Sequence, residues 1–247
     1  MTLPLYLVEP GALDAVVPGD HFLLDGPEGR HAATVKRARP GESLLLADGA
    51  GRSLTGLVMS AAGDRVDLTV TDVARDVVNG PTFTLAQALA KSDRDEAAIE
   101  MATELGVDAI IPWQAERSIV QWRGERAAKS HQKWVDIVRA ATKQSRRTRV
   151  PLVEEMMTTR QLSSRLGRAR VTYVLHEGAQ MPLATAPLPA AGEVLLIVGP
   201  EGGVSAQELD ALTAAGALAV RLGPSVLRSS TAGPAALAVL CAADRWQ

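Results

Sequence analysis

EVLLIVGPEGGVSAQELDAL, residues 193–212, is the stretch on which the fold turns. Its unbroken apolar run, Val194 to Val198, is what a strand buried on both faces looks like. The run enters a glycine-rich turn, after which Ser205 and Glu208, three residues apart, spell a capping box that opens a helix. Gly199, Gly202 and Gly203 permit positive φ and close backbone approach to a ligand. A helix N-terminus at that point favours an anionic or polar group. No Lys-Ser/Thr follows, so the turn is not a P-loop, and no G-x-G-x-x-G opens an early βαβ unit. A tight strand-to-helix turn with no ligand would use the same residues.

The same grammar recurs downstream. In RLGPSVLRSSTAGPAALAVL, residues 221–240, a short strand ends at Gly223-Pro224, a loop follows, and a helix is expected from Ser230 or Thr231. Pro234 then falls in the first turn, where the early N–H groups need no helical acceptor. VLHEG, residues 174–178, is a third strand end with polar residues at its lip. Three such ends in one parallel sheet place a pocket at its C-terminal edge. The 221–240 stretch has no carboxylate, histidine or cysteine; it offers backbone groups, hydroxyls and two arginines.

Further out, residues 1–75 read as short strands (LPLYLV, SLLLAD, RSLTGLVMSAAG, RVDLTVTDV) divided by turn signals, as in a small β-barrel or sandwich. ARDVVNGPT is a linker. From residue 76 strands alternate with helices, predicting an α/β domain with a mostly parallel sheet over 76–247. KSDRDEAAIEMATELG is its first helix, with Ala97, Ala98, Met101 and Leu105 at helical spacing and Gly106 as cap. RGERAAKSHQKWVDIVRAATKQS is a longer one, with Trp134, Ile137, Val138 and Ala141 on one side.

Composition narrows the class. Of 247 residues 47% are hydrophobic and 22% charged, an ordinary globular balance. The single cysteine, Cys241, excludes an intrachain disulfide framework and a cysteine-rich zinc site, and no metal is expected. Cys241 on its apolar helix, His31, Trp113, Trp122 and Trp134 read as packing residues. The N-terminal stretch has no basic n-region, and no apolar run approaches roughly 18 residues, so a cytoplasmic protein without a membrane partner is expected. Net charge is −2, but residues 117–149 hold 10 Lys/Arg against 2 Asp/Glu. That distribution fits a phosphate-backbone partner, or a solvated helix face.

VGPEGGVSAQEL followed by LGPSVLRSSTAGPAAL resembles the two signature loops of the SPOUT methyltransferases, and the chain is similar throughout to the ribosomal RNA small subunit methyltransferase E family. HAATVKRARPGESLLLADGAG (31–51), ALAKSDRDEAAIEMATELGVDAIIPWQAERSIV (88–120) and AATKQSRRTRVP (140–151) carry the resemblance in the family's order. It implies a PUA-like RNA-binding barrel over 1–75 and a SPOUT domain with a trefoil knot over 76–247. The implied reaction is S-adenosylmethionine-dependent methylation of uridine N3 in 16S rRNA, within the assembled 30S subunit, by a homodimer.

Carried over by position, the cofactor residues are Leu175, His176 and Glu177; Gly199, Pro200, Glu201 and Gly202; and Leu222, Gly223, Leu227, Ser229, Ser230, Thr231 and Ala232. Arg228 is the candidate catalytic residue, stabilising the developing uridine anion. Arg37, Arg39, Lys91, Arg94, Arg117, Arg147 and Arg149 are the candidate RNA contacts. Two departures stand out: Ser230 replaces the family's usual glutamate, and Lys143-Gln144-Ser145-Arg146-Arg147 replaces Glu-Gln-Ser/Cys-Gly-Arg. Two other readings stay open: a SPOUT enzyme acting on a ribose 2′-hydroxyl or a tRNA base, and a non-catalytic RNA-binding assembly factor.

Overall fold

The computed structural model describes residues 3–91 and 93–246. The chain forms two compact units, one of residues 1–77 with 142–150, the other of 78–141 with 151–247.

In the first unit, β1 (Leu5–Leu7), β2 (His21–Leu24), β3 (Ser43–Ala47), β4 (Arg52–Ala62) and β5 (Arg65–Arg75) form one sheet in the order β1-β3-β4-β5-β2. The β1–β3 pairing is parallel and the others antiparallel. Alternation along β3 to β5 sends Leu44, Leu46, Leu54, Val66, Leu68 and Val70 inward, where they pack with Tyr6, Leu13 and Leu24. Sequence periodicity missed β2 because HFLL is short and three of its four residues are not buried. It also missed α1 (Gly26–Arg30) and the π-helical turn His31–Val35 that continues it. Residues 142–150, placed by the sequence division in the C-terminal segment, pack with this unit. Arg149 holds them there: its guanidinium donates to the carbonyls of Ala50 and Asp76, both at 2.7 Å. Gly51 makes room, since a Cβ there would lie 2.4 Å from Arg149 Nη2.

The second unit alternates β6 (Pro81–Ala88), α2 (Arg94–Leu105), β7 (Ala109–Gln114), α3 (Glu125–Ser145), β8 (Leu152–Val153), β9 (Met157–Thr158), α4 (Thr159–Arg165), β10 (Val171–Leu175), β11 (Met181–Pro182), β12 (Gly192–Val198), α5 (Ala206–Ala214), β13 (Leu218–Arg221) and α6 (Ser229–Ala243). The strand order is β11-β13-β10-β12-β6-β7-β8, with β9 beside β7, and every pairing is parallel. This is the expected α/β architecture. Leu195 and Ile197 point to one face, against Leu162 of α4, Leu166 just beyond it and Leu212 of α5; α2 and α6 pack on β6, and α6 also touches β12. β8, β9 and β11 went unseen in the sequence because two residues carry no periodicity.

Two helices differ from expectation. α2 buries Asp95, Ala98, Ile99, Ala102 and Thr103, while Met101 is exposed. The polar pair is satisfied within the fold: Asp95 Oδ2 accepts from Ala90 N at 3.1 Å and Thr103 Oγ1 donates to Ile99 O at 2.7 Å. Of the stripe expected from apolar spacing, Ala98 is buried, Ala97 and Leu105 are half-buried and Met101 is exposed, so an apolar-only pattern found the stripe in part. α6 begins at Ser229 rather than Ser230 or Thr231, so Pro234 is its sixth residue and lies beyond the first turn. Burial of Ala236, Leu237, Leu240 and Cys241 stabilises the helix despite that missing N–H. Trp113, Trp122 and Trp134 are all buried, the last two in an edge-to-face pair 5.2 Å apart.

Candidate cofactor site and RNA contacts

Because β13, β10 and β12 are parallel neighbours, their C-terminal ends open on one edge of the sheet. Two adjoining cavities lie there, of about 420 Å³ and about 90 Å³. Leu175, Glu177, Val226, Leu227 and Ala232 line both and form their common wall. The larger adds Gly199, Pro200, Glu201, Gly202, Arg228 and Ser229; the smaller adds His176, Leu222 and Gly223. Of the cofactor residues expected from sequence, Ser230 and Thr231 line neither cavity; they sit in the first turn of α6. Val198, Val204, Val220, Arg221, Ser225 and Val226 line the cavities and were not singled out, whereas Gly203, named for its turn, lines the larger one. All belong to the same strand ends and loops, so chain adjacency was the signal that could have found them.

The capping box forms as read. Ser205 Oγ accepts from Glu208 N and Glu208 Oε2 from Ser205 N, each at 3.2 Å. Glu208 does more than cap: its Oε1 accepts from Glu116 N at 2.8 Å and Thr159 Oγ1 at 2.7 Å. The glycine loop between Val198 and this cap is set by sterics. A Cβ on Gly199 would lie 2.9 Å from Val204 Cγ2 and 3.1 Å from Val204 N, whereas Gly203 takes φ 71°. Gly202 lies outside the positive-φ set, and a Cβ there would lie 3.2 Å from Arg117 Cβ, so its demand is the close approach of the Arg117 stem.

Three residues expected to meet RNA clasp this loop instead of standing apart from it. Glu201 Oε1 accepts from Lys91 N at 3.1 Å and from Arg94 Nη1 at 3.3 Å, and Arg117 Nη1 donates to Gly202 O at 2.8 Å. Arg94 also lines the larger cavity. His176 is engaged locally: its Nδ1 accepts from Gly178 N at 3.1 Å, and its own N–H donates to Val220 O at 2.9 Å. Arg228 is exposed, and among the described residues it makes no ion pair. Its carbonyl accepts from Thr231 N and Ala232 N, both at 2.9 Å, so its backbone is the N-cap of α6 while its side chain is not used in the fold.

Arg37 and Arg39 are exposed beyond the π-helical turn of the first unit. Arg147 and Arg149 lie in that unit as well, and Arg149 is committed to the carbonyls described above. A further cavity of about 430 Å³, lined from α4 and α5, includes Glu208 but none of the residues carried over from the family. Among the described residues, no cluster of His, Cys, Asp and Glu could hold a metal, and no helix is long and apolar enough to cross a membrane.

The lining suits S-adenosylmethionine, which has a polar amino-acid end, a sulfonium and a flat adenosine. Apolar walls from Leu175, Val198, Val220, Leu222, Val226 and Leu227 meet charges from Arg94, Glu177, Glu201 and Arg228. Ser229, 7% exposed and lining the larger cavity, has a buried Oγ with no hydrogen-bond partner. A buried hydroxyl left unpaired costs about 1–3 kcal/mol, which a ligand group can recover.

A family model described as an RNA methyltransferase domain matches residues 79–241. Ribosomal RNA small subunit methyltransferase E of Mycobacterium tuberculosis is 47% identical over 231 residues, covering 91% of this chain and 87% of that protein. The protein of that name from Bacillus subtilis is 30% identical over 227 residues, covering 89% of each. Among solved structures, ribosomal RNA small subunit methyltransferase E from Neisseria gonorrhoeae bound to S-adenosyl methionine aligns with a TM-score of 0.87 at 29% identity, covering 98% of both chains.

Proposed function

The chain belongs to the ribosomal RNA small subunit methyltransferase E family and is an S-adenosylmethionine-dependent rRNA methyltransferase, and from that premise we propose that its acceptor is N3 of a uridine in 16S rRNA. The observation that carries the reading is the pair of cavities at the ends of β10, β12 and β13, with the unpaired Arg228 at the larger one.

Bound S-adenosylmethionine supplies an electrophilic methyl carbon on a sulfonium, and alignment with the nucleophile accounts for much of the catalysis. The residues that would hold it are Leu175, His176, Glu177, Leu222, Gly223 and Leu227 around the smaller cavity, and Gly199, Pro200, Glu201, Gly202, Ser229 and Ala232 around the larger. Ser230 and Thr231 act through the first turn of α6 rather than by contact. Uracil N3 lies on the Watson–Crick edge, so the base must be unpaired or taken from its stack to enter. N3 gives up its proton to water, and the Arg228 guanidinium stabilises the negative charge that then spreads over N3 and the flanking oxygens, until N3 takes the methyl and the S–CH3 bond breaks to leave a neutral thioether. Lys91, Arg94 and Arg117 fix the 199–204 loop, and Arg94 reaches the cavity wall where RNA would enter.

The finer architecture follows the same reading. Residues 1–75 serve as a PUA-like RNA-binding barrel, using Arg37 and Arg39, and 76–247 as a SPOUT domain with a trefoil knot. The strand order β13-β10-β12, in which the last strand lies across β10 from the strand before it, supports that threading. A cytoplasmic homodimer acting on the 30S subunit completes the proposal, with the half-buried Ala235 and Val239 of α6 as candidate interface positions.

The test is transfer from labelled S-adenosylmethionine to small ribosomal subunits lacking the modification, with the product nucleoside identified by mass spectrometry. Label in 3-methyluridine is the expected result. Label in a 2′-O-methyl nucleoside or in tRNA would move the target, and cofactor binding without transfer would leave an RNA-binding assembly factor.

A further inference from the structure

Three described residues other than glycine hold positive φ: Arg37 at 55°, Asp93 at 58° and Arg146 at 58°. Aspartate visits the left-handed region readily because its short side chain bonds locally. Arginine has no such reason. Both arginines belong to the first unit, both are exposed, and both stand where a helical segment ends. Arg37 lies two residues beyond the π-helical turn, and Arg146 follows the last residue of α3.

At Arg146 the hydrogen bonds are those of a Schellman close. Its N–H donates to Lys143 O at 3.3 Å, and the N–H of Arg147 donates to Thr142 O at 3.0 Å. Glycine is the usual occupant of that position, since any Cβ there is strained. A cation near a helix C-terminus is electrostatically favourable, but Lys143 already supplies one in the last turn without positive φ. The segment is also pinned on both sides. Lys143 Nζ lies 2.7 Å from each Glu28 oxygen and 3.4 Å from His31 Nδ1, and Arg149 is held by Ala50 and Asp76. Arg146 is presented between these anchors, exposed and, among the described residues, without an ion pair.

We propose that Arg146, with Arg37 as its companion, contacts the phosphate backbone of the rRNA substrate, and that the strained cap is kept for the sake of this guanidinium. The inference rests on the reading that the chain acts on small-subunit rRNA. A guanidinium fork matches phosphate oxygens in a bidentate manner, and residues 117–149, which include Arg146, hold 10 Lys/Arg against 2 Asp/Glu. A residue that meets no ligand has the opposite signature, because replacing it with glycine relieves strain at no functional loss.

The experiment compares the full-length protein with R146G, R146A and R146K, measuring thermal midpoint and the Kd for unmodified small ribosomal subunits between about 50 and 200 mM salt. R146G is expected to raise the midpoint by about 2 °C. It should also weaken binding about five- to tenfold near 0.1 M salt and make the log–log salt slope shallower by about one. R146A should lose the same affinity without the gain in midpoint, and R146K should keep the wild-type salt slope. An R146G protein that gains stability and binds with wild-type affinity and slope overturns the inference alone. A wild-type protein that neither binds nor methylates small-subunit RNA overturns the proposed function as well.

Discussion

Arg228 and Ser229 are neighbours in sequence with opposite situations. Among the described residues, one is exposed and without an ion pair, while the other is buried with a hydroxyl that meets no hydrogen-bond partner. Arg228→Ala should lower single-turnover methyl transfer by about 10²- to 10³-fold, the usual cost of one electrostatic stabiliser, with cofactor affinity by calorimetry nearly unchanged. Normal transfer in that variant would remove Arg228 from the chemistry. Ser229→Ala separates ligand binding from packing. If its Oγ meets a cofactor group, affinity falls roughly tenfold, the equivalent of one hydrogen bond of about 1.4 kcal/mol. If it meets none, deleting an unsatisfied hydroxyl leaves affinity alone and raises the thermal midpoint. Ser230, where the family's glutamate is usual, lines neither cavity, so the substitution leaves the lining intact.

At the scale of elements, the loop from Gly199 to Val204 has a fixed shape for two separate reasons, a missing Cβ and a positive φ. Gly199→Ala puts a methyl against both the side chain and the backbone of Val204, and backbone yields least. The loop must shift, so cofactor binding should fall at least tenfold, while Kd for small-subunit RNA changes by less than twofold, by about 0.4 kcal/mol or less. Equal loss of both affinities would mean that the variant has disturbed the fold and not the loop. Glu208 anchors the far end of the same loop through its cap, Glu116 and Thr159. This is more than composition alone suggests for one glutamate of a capping box.

The half-buried Arg165 has consequences for the whole second unit. It pairs with Glu154 at 2.5 Å and Glu193 at 2.8 Å, with its side chain 9% exposed. Burial pushes the Glu193 carboxyl up, but hydrogen bonds from Arg165 and Thr84 and the charges of Arg165 and Arg168 outweigh it and hold the group below its ordinary 4.5. A carboxyl lowered by folding adds stability that is fully present above the unfolded value and lost as pH falls through the folded one. The stability difference between wild type and Glu193→Gln should therefore be constant above about pH 5.5 and shrink steadily below about pH 4.5 in denaturant melts. A difference that grows on acidification would contradict the pairing. Arg165→Met strands two carboxylates and should cost about 3 kcal/mol at neutral pH.

Local sequence was enough for the parallel α/β unit, the edge of its sheet that carries the cavities, and the family. Apolar runs, capping boxes and glycine-proline turns are local, and each forms with little help from distant residues. Tertiary structure alone decided the rest. Asp95 and Thr103 occupy the buried stripe of α2 because partners satisfy them, which no periodicity encodes. Residues 142–150 left their sequence neighbours for the first unit because Glu28, Ala50 and Asp76, distant in the chain, accept from Lys143 and Arg149. Identical arginine side chains were thus divided among a loop clasp, a structural staple, an exposed cap and a cavity wall. Charge and spacing are alike for all of them in the sequence; what differs is the set of acceptors that folding brings within reach of each guanidinium.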